Sequence, residues 1–425
     1  MTFSATAYLV KSAATCVLLS CEGLSLFWRA ILFVAVIGTA SSTAFLGIAF
    51  VAAVRNLKLA RAQQAGMAEP ADRLHPAVSI LKPLHGAEPQ LEENLETFFL
   101  QDYPEFEIVF GCRSSADPAL VIVERLRARY PGIPVRVVLS GAPHWPSAKV
   151  WSLDKMIAGA KHSYLVISDS DILVSPDFLR NVIPPLLLPK NGLVTCLYRG
   201  VPARGIWSSL EALGMSVEMA SGVITADMLE GMKFALGCVM AMRREVLEQI
   251  GGIASMAEYY SDDFVLGNQV HAAGYQVVLS HYRAAHVLCE QSLSTTISTQ
   301  IRWMKSTRYS RPLGHLGTGL TFAVPYGILG FVAATALGHS GLGAALFVWS
   351  LLNRMAQCVS IGYGVIGDQR ALRLCWLYPL RDLLGFFVWM ASYLGGSSFR
   401  WRGELYRFTS GGRISPVQRR SEAVE

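Results

Sequence analysis

Charge is scarce in this chain. Asp, Glu, Lys and Arg make up only 16% of its 425 residues, against about 25% in an average soluble globular protein. Hydrophobic types reach 52%, which excludes a disordered chain and an ordinary soluble enzyme. No CxxC pair exists among the eight scattered cysteines, so neither a zinc knuckle nor a disulfide framework is indicated. The net charge is +6, yet the body of the chain has no dense Lys/Arg tract. That makes nucleic acid a poor partner and leaves anionic lipid or a phosphorylated substrate. There is no GxxxxGK followed by Ser or Thr and no GxSxG, which removes Walker-loop and esterase signatures. The one GxGxxG match, GYGVIG at 362–367, lies inside an apolar stretch and not in the strand-turn-helix setting of a dinucleotide site. Internal repeats and low-complexity linkers are absent too.

What remains is a membrane protein with one large water-exposed part. Residues 30–54 form an uncharged apolar run long enough to cross a bilayer. The run is too long for a secretory signal, and no cleavage site follows it. Residues 5–28, interrupted by Lys11 and Glu22, read as an interfacial helix. Arg55, Lys58, Arg61 and Arg73 outnumber Glu69 and Asp72 after the span, which predicts a cytoplasmic location for this flank. Three further apolar stretches lie at about 318–338, 342–365 and 374–396. The second contains Asn353 and Arg354, the third Pro379, Arg381 and Asp382; such groups need partners inside a bilayer. The tail is rich in arginine (Arg400, Arg402, Arg407, Arg413, Arg419, Arg420) against Glu404, Glu422 and Glu425, and reads as cytoplasmic, aperiodic and mobile. Three crossings between two cytoplasmic flanks break parity, so one of these stretches should not cross. The expected divisions are 1–74 membrane anchor, 75–312 catalytic domain, 313–398 membrane region and 399–425 basic tail.

Between residues 75 and 312 short apolar runs alternate with mixed segments. AVSIL (77–81), EIVFGC (107–112), VRVVLS (135–140) and SYLVISDSD (163–171) read as strands, with helices at 91–100 and 118–130 between them. This rhythm predicts an α/β fold with a mostly parallel sheet. Ligands of such sheets bind beyond the carboxyl ends of the strands.

The acids fall there. Asp169 and Asp171 emerge from the strand YLVI and, two apart, point the same way. Their mutual repulsion would be relieved by Mg2+ or Mn2+ carrying substrate phosphates; a plain solvated turn is the alternative. Asp117 precedes Pro118 and either caps the next helix or holds a nucleotide base or ribose. Asp262 and Asp263 open a helix; one cap needs one acid, and the second suits a general base for a hydroxyl. Lys149 begins a helix, where a cation is unfavourable unless an anion sits nearby. KPLHG (82–86), with Pro83, turns at the ligand edge where a nucleotide ring would rest. Gln300, Arg302 and Trp303 open a basic amphipathic helix. Arg302 would brace a diphosphate and Trp303 wall the cleft, or the helix simply lies on anionic lipid. His144 and His286 have no acid nearby in sequence and read as structural. Met215, Met219, Met228 and Met232 read as soft packing or lipid contact.

Together SILKPLHG, LEENLETFFLQDYPEFEIVFG, ADPA, the lysine of PSAKV, ISDSDILVSPD, MRREVLEQIGGI, SDDFVLG and IRW resemble the ceramide glucosyltransferases, membrane-bound inverting GT-A enzymes of family 21, including bacterial lipid relatives. The resemblance covers about residues 75–308. It implies a GT-A domain with transmembrane helices at both ends. It also implies a UDP-sugar donor, a lipid acceptor, the bilayer as partner, Mg2+ or Mn2+, and placement in a bacterial inner membrane with the catalytic domain on the cytoplasmic side. Residue by residue it implies nucleotide contact at Asp117, metal and diphosphate contact at Asp169 with Asp171, and the base at Asp263. Lys149, Arg302 and Trp303 match further family positions. In the closing (Q/R)xxRW pattern Thr299 holds the first place, and Gln300 is one residue too close. Trp151 and Ser152 replace family asparagines beside Lys149. The expected reaction is transfer of glucose from UDP-glucose to a lipid hydroxyl with inversion. The alternatives are transfer from another UDP-sugar to a hopanoid or other lipid, a processive polysaccharide synthase, and a non-catalytic nucleotide- or lipid-binding membrane protein.

Overall fold

The computed structural model describes the backbone of residues 3–67, 75–289, 292–401 and 404–417, and the side chains of these from Gly23 onward except Met67. The expectations that rest on Lys11, Glu22, Glu69, Asp72, Arg73, Arg402, Arg419, Arg420, Glu422 and Glu425 fall outside those described residues.

The water-exposed part of the chain is built on eight strands: β1 (Val78–Pro83), β2 (Phe106–Cys112), β3 (Val135–Leu139), β4 (Tyr164–Ile167), β5 (Ile172–Leu173), β6 (Asn191–Val201), β7 (Met240–Arg243) and β8 (Gln276–Val287). They lie in the order β3-β2-β1-β4-β7-β6-β8-β5. Strands β3, β2, β1 and β4 pair in parallel, as the βαβ rhythm predicts. β2 is buried along its whole length, because helices cover both faces of such a sheet. The order turns back at β1, leaving a crevice between β1 and β4 at their carboxyl ends.

The other half of the sheet departs from the parallel expectation. β7 runs antiparallel to both β4 and β6, and β5 antiparallel to β8; only β6 and β8 are parallel there. The sheet is therefore mixed. The helical segments Ile206–Gly214, Met215–Met219 and Ala220–Glu230 connect β6 to β7. They return the chain at the same end of the sheet instead of crossing its face, so β7 must run backwards.

The first membrane element is one helix, Phe3–Met67, not an interfacial segment followed by a span. Its stretch Gly23–Gly66 holds 44 residues, about 66 Å at 1.5 Å per residue, twice a hydrocarbon core of about 30 Å. The excess docks on the catalytic domain. Arg55 meets Asp227 at 2.5 Å, Arg283 donates to Asn56 Oδ1 at 2.8 Å, and Gln63 pairs with the backbone of Leu279 and His281 at 3.2 and 2.8 Å.

Towards the C-terminus, Ser340–Tyr363 is long and apolar enough to cross a membrane, and Pro312–Thr321 with Val324–Ala336 forms a pair bent by 53°. The third expected stretch yields only the 14-residue helix Tyr378–Ala391, about 21 Å long. Its charged residues are partnered: Asp382 meets Arg354 at 3.3 Å and accepts the N–H groups of Ala323 and Val324, while Arg381 meets Glu218 at 2.9 Å. The apolar helices are thus N-terminal and internal, not at both ends. The tail is not aperiodic. β9 (Ser398–Trp401), β10 (Glu404–Phe408) and β11 (Ile414–Pro416) form an antiparallel sheet in the order β11-β10-β9. Phe399, Tyr406, Phe408 and Ile414 make its core against Tyr260, Tyr309 and Trp401.

Candidate active site

A cavity of about 660 Å³ opens at the carboxyl ends of β1 and β4. Next to it, but outside its lining, is Lys82, the penultimate residue of β1, which is fully buried. The Lys82 ammonium donates to the backbone carbonyl of Asp169, lies 3.3 Å from Ser168 Oγ, and sits 3.7 Å over the Phe98 ring. Burial pushes its pKa down to about 7, against the pull of Asp169 and Asp171. Sequence reasoning had this lysine only as part of a turn; a cation ending an apolar strand just before Pro-x-x-Gly was the available signal. Pro83, Leu84 and His85 line the cavity directly above it.

Asp169, Asp171, Asp262 and Asp263 all line the cavity. Lys149 Nζ lies 2.9 Å from Asp169 Oδ1 and 3.2 Å from Asp262 Oδ2. Ser147 caps the helix Ala148–Gly159 that presents it. Burial opposes the lysine's charge, but Asp169, Asp262 and Asp263 outweigh burial and hold its pKa above the ordinary value. Asp262 and Asp263 both line the cavity, but only the first is ion-paired with Lys149. Asp263 Oδ2 accepts the Gly237 N–H at 2.8 Å and Oδ1 its neighbour Phe264 N–H at 2.7 Å. A side chain on Gly237 would start 3.2 Å from Asp263 Oδ2 and 3.6 Å from Asp169 Oδ2, so this glycine keeps open the space between the two carboxylates. Burial, reinforced by Asp262 and opposed by Lys149, raises the Asp263 pKa to about 6.

Asp171 meets His286 Nε2 at 3.1 Å, so His286 does have an acid partner, brought from β8. Burial works against both charges; the pairing overrides it, raising the imidazole's pKa and lowering the carboxyl's. Asp171 Oδ1 is buried and makes no hydrogen bond. Among the described residues no group of three or more His, Cys, Asp or Glu side chains is arranged as a metal cage. A divalent cation held by Asp169 and Asp171 would take its remaining ligands from water and diphosphate, a habit of Mg2+, and the orphaned Asp171 oxygen fits that role.

Two expected residues are not brought to the cavity. Asp117 accepts from the N–H groups of Gly86 and Ala119, at 3.0 Å each from Oδ1; it caps its helix and braces the turn after β1. Arg113 lines the wall on that side. Gln300 lies outside the lining, its side chain against Glu211. Arg302 and Trp303 do line the cavity. Arg302 Nε donates to the Tyr260 hydroxyl at 2.8 Å and Nη1 to the Arg400 carbonyl at 3.4 Å. Met215 and Met219 form cavity wall, beyond the packing role expected of them. Trp151, Trp401, Glu404 and Tyr406 also line it; the last three come from the sheet that the basic tail concealed.

The sequence profile described as Glycosyl transferase family 21 matches residues 39–414. The chain belongs to this family and is a glycosyltransferase, with a GT-A-like α/β fold. It is similar to ceramide glucosyltransferase 1 of Caenorhabditis elegans, 24% identical over 349 residues that cover 80% of this chain and 73% of the relative. The ceramide glucosyltransferase of Komagataella phaffii is 34% identical over 114 residues, 26% of this chain and 22% of that one. Both relatives are eukaryotic, so the bacterial placement finds no support in them. Among solved structures, a mannosyltransferase from Pyrobaculum calidifontis in complex with GDP-Man and Mn2+ aligns over 85% of this chain and 99% of its own, at 18% identity and a TM-score of 0.48. Family membership sets aside the reading as a non-catalytic binding protein.

Proposed function

We propose that the protein transfers a hexose, glucose from UDP-glucose, to the hydroxyl of a membrane lipid such as ceramide, with inversion at the anomeric carbon. The observation that carries this is the meeting of Asp169 and Asp263 across Gly237, with Lys149 beside Asp169, in a cavity whose wall includes Met215, Met219 and Trp303. Charge for a diphosphate and a base for a hydroxyl thus adjoin an apolar approach.

In this reading the uracil end of the donor rests between Pro83, Arg113 and Ser140. Asp263 takes the proton of the lipid hydroxyl as that oxygen bonds to the anomeric carbon. The bond from that carbon to the diphosphate oxygen breaks on the opposite face, and UDP departs with the electron pair. Lys149 and Arg302 supply fixed positive charge along its path. Asp169 and Asp171 would hold Mg2+ or Mn2+, which neutralises diphosphate charge when bound. The base is held by two backbone N–H donors, so its aim costs no reorganisation during the reaction. The docked flank at Arg55 and the tail sheet lie with the catalytic domain, and the bent pair Pro312–Thr321 and Val324–Ala336 crosses as one broken span, with Ser340–Tyr363 returning. That arrangement restores parity and suits a cytoplasmic catalytic domain.

The test is a turnover assay on purified protein in detergent. It crosses a panel of UDP-sugars with ceramide, diacylglycerol and hopanoid acceptors, with and without EDTA. UDP release is expected with UDP-glucose and ceramide, and its loss with EDTA. Absence of UDP release with every pair overturns the reading; turnover untouched by EDTA removes the metal from it.

A further inference from the structure

The C-terminal sheet enters the cavity from the side of helix Leu293–Ser310. Trp401, Glu404 and Tyr406 stand there with Trp303, Ser306 and Thr307 of that helix. The opposite end is lined by residues that follow β1, β2 and β3: Leu84, Arg113 and Ser140. The two kinds of wall differ in chemistry and in where they lead. Helix Leu293–Ser310 runs straight into Pro312–Thr318 and the apolar helices beyond, so the end with Trp401 and Glu404 is the one a lipid reaches first.

The sheet is locked to the segment that bears the base. Ile414 N–H donates to the Glu258 carbonyl at 2.7 Å and Tyr260 N–H to that of Gly412 at 3.3 Å. The Tyr260 ring packs on Phe399, Trp401 and Phe408 with centroids 5.5, 5.3 and 5.4 Å away. Arg302 ties the Tyr260 hydroxyl to the Arg400 carbonyl. Asp263 is three residues beyond Tyr260, so the spacing between sheet and base is set by a short, pinned piece of chain.

Glu404 is held in turn: its Oε2 accepts from the Tyr406 hydroxyl at 2.9 Å. A carboxylate has about four acceptor sites, so one such bond orients Glu404 and leaves capacity for hydroxyl or amide donors of a ligand. An indole face beside an oriented carboxylate is an arrangement that recognises a small polar head: the ring covers its C–H surface, and the carboxylate takes its O–H and N–H groups.

We propose that the C-terminal three-stranded sheet builds the acceptor subsite, in which Glu404 accepts hydrogen bonds from the polar head of the lipid and Trp401 packs against that head. This rests on the lipid-acceptor reading given above. Glu404 and Trp401 are specificity-determining residues; the chemistry itself belongs to Asp263.

The experiment is steady-state kinetics on the full chain in lipid nanodiscs. It compares wild type with Glu404→Gln, Trp401→Ala and Trp401→Phe, using ceramide and a ceramide analogue lacking one headgroup hydroxyl. Loss of a charge-assisted hydrogen bond is expected to raise the ceramide KM about tenfold in Glu404→Gln. The donor KM should move less than twofold. The preference for ceramide over its deoxy analogue should collapse in Glu404→Gln, and Trp401→Phe should recover most of what Trp401→Ala loses. An unchanged ceramide KM and unchanged preference in both Glu404→Gln and Trp401→Ala overturns the proposal, as does a rise confined to the donor KM. Glu404 is exposed and glutamine is its isostere, so a matching melting temperature is expected and shows that the variant is folded. If wild type itself releases no UDP with any lipid, the acceptor reading above is what fails.

Discussion

Asp263 in the cavity and Lys82 beside it have pKa values displaced in opposite senses for stability. Asp263 rises from 3.8 to about 6, so between those values the folded protein holds a proton that the unfolded chain has lost. Stability from this group therefore falls as pH rises through that window. Lys82 drops from 10.5 to about 7. Between those values the unfolded chain holds the extra proton, and stability rises with pH. On the proposed mechanism activity follows Asp263, because a base must be ionised. Turnover at subsaturating acceptor should decline on the acid side of about pH 6, approaching tenfold per pH unit. Asp263→Asn should remove that limb and lower the rate by a factor of about 10² to 10⁴. A pH–rate profile of both proteins checks this; a limb that survives in Asp263→Asn assigns it to another group.

At the scale of elements, the short helix Tyr378–Ala391 is held by its charges as much as by its apolar face. Asp382 caps the start of Val324–Ala336 through two N–H groups and balances Arg354, and both side chains are 3% exposed. Asp382→Ala would leave a buried guanidinium without its counter-ion, a loss of about 3–5 kcal/mol. Asp382→Asn keeps an acceptor for the N–H groups and should lose less. Thermal unfolding in detergent measures both, and an Asp382→Ala midpoint equal to wild type refutes the account.

Elements also explain what could be read in advance. Strands β1, β2 and β4 were legible because each is a mostly buried apolar run ending near polar residues at the ligand edge, and β3 because its apolar residues flank a single Arg136. The acids of DSD and SDD were legible because such edges are where charge gathers. β7 was not, since nothing in MAMR distinguishes a strand returning antiparallel from one reached by a crossover. The tail strands were hidden by their own arginines. Phe399 and Trp401, then Tyr406 and Phe408, alternate with Arg400 and Arg407 in the two-residue period of a strand. Counting basic residues there obscured that period and with it Trp401 and Glu404. Asp117 lies outside the cavity lining and accepts from the N–H groups of Gly86 and Ala119, a local need that spacing alone does not reveal.

For the molecule as a whole, the charge asymmetry of its loops and the lengths of its helices make a topological claim. The turn at Gly338 and His339 joins Val324–Ala336 to Ser340–Gln357, and it should face the side opposite the catalytic domain. A maleimide that cannot cross membranes should label His339→Cys and Arg413→Cys from opposite faces of sealed vesicles, in a background stripped of reactive native cysteines. Labelling of both from one face would make the hairpin re-entrant.

Helix Phe3–Met67 has one further consequence. It is continuous from the bilayer to the flank of β8, without a proline or a break. A mast of this kind gives the cavity a fixed altitude over the headgroups. On the proposed lipid acceptor, such a support keeps the catalytic domain from stooping to collect a lipid or swinging away with one. Encounter is left to lateral drift within the leaflet, a two-dimensional search in which a stiff support keeps the doorway at the level where the molecules pass.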